Sequence, residues 1–265
     1  MAQPLFSGLR ANRQRRVPIL MYHRISTKPP AAPSGLRLTT HPDHFRMQVK
    51  SILSQGFTPI TFSQLPSLLQ SPTPIPKSVI ITADDAYEDF YIHAFPILKN
   101  FCCPATLFVP TRLVDLRRRE EDTYCSWSHI QEMSRNRISI GSHTVNHVHL
   151  SVQNDNQIAF ELNESKRRIE DRIGVPVAEF SYPFKFPEAN SRFVARLREH
   201  LREAGYRFGV TTQVGCARSG DNPLLLPRIP VSQSDDEPLL MAKLNGGYDW
   251  LRILQRAHKH LFAHR

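Results

Sequence analysis

Two acidic residues, Asp84 and Asp85, directly follow the apolar run Val79-Ile80-Ile81 and its Thr82-Ala83 extension. Adjacent carboxylates repel each other, so such a pair calls for a cation or a shared proton. A pair in this place can equally cap the helix that follows. Farther along the chain, Ser142-His143-Thr144-Val145-Asn146-His147 follows a second apolar stretch that ends at Gly141. His143 and His147 stand at i and i+4, a spacing that puts both rings on one face of a helical turn and lets both reach one metal ion at about 2.0–2.1 Å. Two loop histidines can also simply be solvated; His149 lies outside the i, i+4 pair and is a further candidate. Together the two constellations supply one carboxylate and two imidazoles for a metal, with a spare carboxylate beside them to take a proton from water. Three protein ligands leave coordination positions open, as catalytic metal sites do.

The elements around these residues must bring them together. A strand is expected over 17–22, then a loop with Pro29, Pro30, Pro33 and Gly35, then a helix on whose face Phe45, Val49, Ile52 and Leu53 recur, with Thr40 as N-cap and Gly56 as stop. The run Val79-Ile80-Ile81 reads as a buried strand. After it the pattern alternates: helix near 87–99, strand 105–109, short helix near 128–134, strand 138–141, long helix over 152–173, strand 178–182, a helix carrying Phe193, Leu197 and Leu201, strand 206–211 and a final helix near 239–254. This alternation predicts a parallel sheet with helices outside, closed into a distorted (β/α) barrel as a single domain. In that architecture chemistry sits at the C-terminal ends of strands, which is where Asp84, Asp85, His143 and His147 fall.

The chain has 265 residues and a formal charge of +10. Its basic residues are scattered in groups such as Arg15-Arg16, Arg117-Arg118-Arg119 and Arg167-Arg168, without the interleaved aromatics of a nucleic-acid platform, so no specific nucleic-acid partner is expected. Attraction to an anionic membrane surface or an acidic glycan carrier is the alternative use of that charge. No stretch reaches the roughly 20 apolar residues of a membrane span, and no signal peptide is read, so the expectation is a cytoplasmic protein, peripheral at most to the inner face of the membrane. Cys102, Cys103, Cys125 and Cys216 show no metal-ligand spacing and are expected to be reduced and structural.

Thr82-Ala83-Asp84-Asp85-Ala86 resembles the Thr-Phe-Asp-Asp-Gly motif of the polysaccharide deacetylases (NodB-homology, carbohydrate esterase family 4), and Ser142 to His147 resembles their His-x-x-x-His motif in the same strand context. Phe180-Ser181-Tyr182-Pro183-Phe184 is similar to the third motif of the family, and Leu226-Pro227-Arg228-Ile229-Pro230-Val231 to a segment of its bacterial branches. The resemblance runs from about Val17 to Val231. It implies a metal-dependent removal of N-acetyl groups from amino-sugar units of a glycan or glycolipid. Asp84 would be the general base, Asp85, His143 and His147 the ligands of a divalent metal, zinc foremost, and Phe184 the donor of a backbone N–H to the oxyanion. Two further readings stand beside it: a catalytically degenerate carbohydrate-binding protein of the same fold, and a metal-dependent hydrolase of another C–N amide bond.

The departures are specific. Ala83 replaces the usual Phe and Ala86 the usual Gly; a positive φ at position 86 would strain the alanine by roughly 1 kcal/mol. Ser181 replaces an arginine that orients the base, and Arg228 is the residue expected to supply that charge from another strand end. For the general acid, the run Ile19-Leu20-Met21-Tyr22-His23-Arg24-Ile25 resembles the poly-N-acetylglucosamine deacetylase branch, in which the histidine motif is permuted to the N-terminus. His23 then lies at a strand end, although it can also pack against the loop that follows. An imidazole with an ordinary pKa near 6.5 holds the needed proton near neutral pH. The expected organisation is a basic arm over 1–16, the deacetylase-like barrel over 17–257 and a basic tail over 258–265.

Overall fold

A computed structural model describes residues 16–28, 38–71, 73, 76–119 and 122–249. The proline-rich segment from Pro29 to Gly35, the arm before Arg16 and the tail with His258, His260 and His264 lie outside the described residues.

Seven parallel strands close into a barrel: β1 (Ile19–Tyr22), β2 (Ser78–Ala83), β3 (Ala105–Val109), β4 (Ile138–Ser142), β5 (Glu179–Ser181), β6 (Phe208–Val214) and β7 (Leu226–Pro230). Each pairs with its successor, and β7 pairs with β1 through Ile229 opposite Leu20, so the expected closure of first strand on last is present. The helices that matter for the site are α1 (Pro42–Ser54), α2 (Phe95–Asn100), α3 (Trp127–Ser134), α4 (Asp155–Ile173), α5 (Ser191–Glu203) and α6 (Glu237–Leu244).

Strand side chains alternate between two faces, and the buried residues sort accordingly into two clusters. Leu20, Ile81, Leu107, Ile140, Phe180 and Ile229 belong to the layer that packs under the helices. Ile19, Ile80, Phe108, Phe208 and Leu226, of opposite parity, form a separate cluster that fills the barrel. Phe62, from the short turn after α1, packs on Phe208 at 5.7 Å between ring centroids and on Phe108 at 6.5 Å, and so plugs this cluster from below. Both faces of the strands are thus buried, which is why Val79-Ile80-Ile81 reads as a continuous apolar run rather than an alternation. Gly141 faces the plug; a Cβ there would stand 2.5 Å from the Phe108 ring.

Several expectations need correction. The N-cap of α1 is His41, whose Nδ1 accepts the Asp43 N–H, because Thr40 is occupied in a short strand beside Ile25. The helix expected from Tyr87 begins at Glu88 and passes through a π turn over Phe90–Ala94, in which the Phe95 N–H reaches the Phe90 carbonyl. Pro96 has no N–H to continue an ordinary ladder, and Tyr87 is drawn into a bridge with Tyr124. The long helix α4 starts at Asp155 under an Asn154–Gln157 capping box, behind a 3₁₀ turn at Leu150–Val152. The last helix stops at Leu244, before Gly246 at φ 82°. Strand β7 and a helix over Thr111–Leu116 were not expected as elements. Among the described residues no helix is long and apolar enough to cross a membrane, and the four cysteines are free thiols.

Candidate active site

Five strand ends at the C-terminal mouth deliver parts of the site: β1 gives His23, β2 gives Asp84 and Asp85, β4 gives His143, β5 leads to Phe184 and β7 carries Arg228. These residues, with His147, are thereby gathered at one mouth. His149 sits apart, exposed, with its ring stacked on Phe184 at 3.9 Å and 17°.

Asp85 Oδ1 lies 3.2 Å from His147 Nε2 and 3.5 Å from His143 Nε2, and ligand atoms of the three residues fall within 4.8 Å of one another. His143 Nδ1 is 2.8 Å from the Ser181 carbonyl oxygen. A carbonyl only accepts, so Nδ1 carries a proton and Nε2, beside Asp85, is the nitrogen available to a metal. Two imidazole nitrogens and one carboxylate oxygen, with the tautomer of one ring fixed in this way, fit a divalent transition-metal ion. Burial alone would raise the Asp85 carboxyl, but the hydrogen bonds from His143 and His147 prevail and hold it well below the usual carboxylate range.

Asp84 stands outside that trio. Its two oxygens accept from Arg228 Nη1 and Nη2, each at 2.7 Å, and Oδ2 accepts from Ser181 Oγ at 3.3 Å. Arg228 is fully buried, and its remaining donors go to the Thr211 carbonyl, Thr82 Oγ1 and Ser181 Oγ at 3.1, 3.3 and 3.0 Å. All five guanidinium donors are thereby used. Burial pushes the Asp84 carboxyl up, but the Arg228 charge beside it overrides this and lowers it below its ordinary value. His23 Nε2 lies 4.0 Å from Asp84 Oδ2. Its pKa is lowered, because burial outweighs the pull of Asp84 and Asp85, so the ordinary value near 6.5 does not hold.

Backbone conformation is the part of the site that residue types do not announce. Asp85, Ala86, Thr144, His147 and Phe184 all have positive φ, at 73°, 52°, 67°, 53° and 60°. Non-glycine residues rarely adopt this region, and its concentration in three loops around one mouth is the kind of strain that functional sites hold. Ala86 thus bears the strain that a glycine would avoid. The Phe184 loop is tied down by Thr212, whose Oγ1 accepts the Phe186 N–H at 2.8 Å and donates to the Phe184 carbonyl at 3.2 Å. Among the described residues no acceptor takes the Phe184 N–H. Two contributors went unnoticed in the sequence: Thr212, for which no signal exists, and Glu161. The latter lies beneath the His143–His147 turn and could have been found from its place on the apolar face of α4.

Comparison with known proteins gives three kinds of match. The polysaccharide deacetylase family model matches residues 71–209. The protein YxkH of Bacillus subtilis (strain 168) is 28% identical over 225 residues, covering 84% of this chain and 74% of that protein. The poly-β-1,6-N-acetyl-D-glucosamine N-deacetylase of Escherichia coli (strain K12) is 28% identical over 113 residues, 38% of this chain but only 17% of that protein. Among solved structures, the Streptococcus pyogenes deacetylase PplD in complex with acetate superposes with a TM-score of 0.75 at 26% identity, covering 86% of this chain and 98% of that one.

Proposed function

The chain belongs to the polysaccharide deacetylase family, and from this premise we propose that it is a metal-dependent hydrolase that removes N-acetyl groups from amino-sugar units of a glycan or glycan precursor. The observation that carries the reading is the convergence of Asp85, His143 and His147 on one point, with an ionised, arginine-paired Asp84 beside them. The name of the Escherichia coli relative suggests N-acetylglucosamine units as the substrate class. A formal charge of +10 further suits a carrier or surface of negative charge.

Asp85 and the Nε2 atoms of His143 and His147 would hold a divalent ion, zinc or a similar transition metal. When bound, such an ion supplies Lewis-acid polarisation of the acetamide and a lowered pKa for water. Asp84 takes the proton of the water that adds to the acetyl carbon. Arg228 keeps that carboxylate charged and aimed, doing from β7 what Ser181 cannot do from β5. The Phe184 N–H donates to the oxygen as its charge develops. His23 then gives a proton to the sugar nitrogen as the C–N bond breaks, yielding acetate and a free amine.

Acetate release from short N-acetylglucosamine oligomers tests the reading. We expect activity to vanish on chelation and to return with added metal, and Asp85→Ala, His143→Ala and His147→Ala each to reduce metal content sharply. Unchanged metal stoichiometry in all three variants would sink the metal assignment.

The general acid has its own test. His23→Ala should retain metal and fold while losing most acetate release, whereas removal of residues 258–265 should leave activity largely intact. The reverse pattern would place the acid in the tail.

A further inference from the structure

Beneath the turn that carries the two histidines lies a carboxylate with no cation. Glu161, on α4, is 5% exposed. Its Oε2 accepts the Val145 N–H at 2.8 Å and the Asn146 N–H at 2.9 Å, and its Oε1 accepts Asn146 Nδ2 at 2.5 Å. Among the described residues no Lys, Arg or His pairs with it. Ile158, Leu162, Ser165 and Ile169 are its buried companions on the helix face that packs inward, where an apolar side chain would serve packing better. Burying a carboxyl group is expensive unless hydrogen bonds compensate, and among the described residues the compensation comes from Val145 and Asn146, the two residues between Thr144 and His147.

That turn needs holding. Thr144 and His147 both have positive φ, a conformation that costs a non-glycine residue roughly 1–2 kcal/mol. Other bonds hold part of the turn: Thr144 Oγ1 accepts the His147 N–H at 3.0 Å, the His143 N–H reaches the Val109 carbonyl at 3.0 Å, and the Thr144 and Val145 carbonyls accept the Thr111 and Arg112 N–H groups at 3.2 and 2.9 Å. The N–H groups of Val145 and Asn146 are left facing α4, and Glu161 is what they meet. We infer that Glu161 is a positioning residue: its carboxylate fixes the Val145–Asn146 segment and thereby sets the separation and aim of the His143 and His147 imidazoles. The inference rests on the metal reading above and names the group that shapes that site from outside it.

The test is the Zn²⁺ affinity of the metal-free full chain, measured by competition with a chromophoric chelator, so that activity is not the readout. Glu161→Gln keeps the shape but replaces one acceptor oxygen with a donor NH₂, so that at least one of the three donors loses its acceptor. It is expected to weaken Zn²⁺ binding by roughly 10–100-fold, the range for partners outside the ligand shell. Glu161→Asp keeps the charge but withdraws the oxygens, and should fall between that variant and wild type. Phe62→Leu, which thins the barrel plug far from the turn, is the stability control and should melt earlier while binding Zn²⁺ as wild type does. Glu161→Gln binding within about twofold of wild type would overturn the inference, as would an equal loss in Phe62→Leu. If Glu161→Gln does not fold, Glu161→Asp is judged by the same threshold. A wild-type chain that binds no Zn²⁺ would bring down the metal reading and this inference together; wild-type binding with unaffected Glu161 variants would bring down this inference alone.

Discussion

Asp84→Asn is expected to keep its metal and lose turnover by about 10²–10⁴-fold, the usual contribution of a general base. The amide retains an oxygen that can accept from Arg228 but carries no charge with which to take a proton. Metal should stay, because the convergent ligand set consists of Asp85, His143 and His147 and leaves Asp84 out. The decisive measurement pairs metal stoichiometry with kcat, both taken below the melting temperature of the variant. Full activity would exclude the role, and loss of metal would make Asp84 a ligand instead.

Arg228→Met should produce the largest change in stability. Arg228 and Asp84 are both buried, at 0% and 3% exposure, and removing one partner of such a pair leaves an uncompensated charge at a cost of about 3–5 kcal/mol. Adding Asp84→Asn to Arg228→Met should recover much of that loss while leaving the protein inactive, a non-additivity that chemical denaturation of the two single variants and the double variant would reveal. The pH dependence carries a sign. In the wild type the folded-state pKa of Asp84 is lowered, so its contribution is present above the unfolded value near 3.9 and is lost as pH falls through the folded value. In Arg228→Met burial loses its main counterweight, with only His143 and His23 still opposing it, so the folded pKa rises relative to wild type and the deficit should shrink on acidification as Asp84 takes up a proton. A deficit independent of pH, or additive effects of the two substitutions, would show that the pair does not act as a unit.

Much of the barrel was legible because its strands are apolar runs bounded by clear helices; 105–109 was placed to the residue. Strand β7 was not, since Leu-Pro-Arg-Ile-Pro carries two residues that cannot donate to a ladder and a charge in its centre. Those same features make sense once the partner is known: the arginine points at Asp84, and a bulge between Val210 and Val214 absorbs the irregularity. The pairing of Arg228 with Asp84 spans most of the domain, and periodicity carries no information about it. The site trio was legible as a strand-end carboxylate with two nearby histidines, but not by the helical spacing expected: 143–147 is a loop with positive φ at Thr144 and His147. The positive φ values at Asp85, Thr144, His147 and Phe184 were not legible, because even Asp and His, the types among them that enter this region more often, do so too rarely to announce it. Glu161 lies between these cases: it breaks an otherwise apolar stripe on α4, and a charge inside such a stripe is a local signal that needs only the right question.

The closure of the barrel by β1 against β7 has a consequence for when the protein becomes competent. His23 arrives with the first strand, which already pairs with β2, but Arg228 arrives only with the last, so the counter-charge of Asp84 is missing while a nascent chain has reached only the histidine turn. A half-made polypeptide presents Asp85, His143 and His147 without the arginine that pairs Asp84. Pairings this distant in sequence form late in folding, because the entropy of closing a long loop must be overcome first. The pairing of β7 with β1 is therefore the step that completes the site, and damage to either terminal strand is expected to lower activity without touching Asp85, His143 or His147.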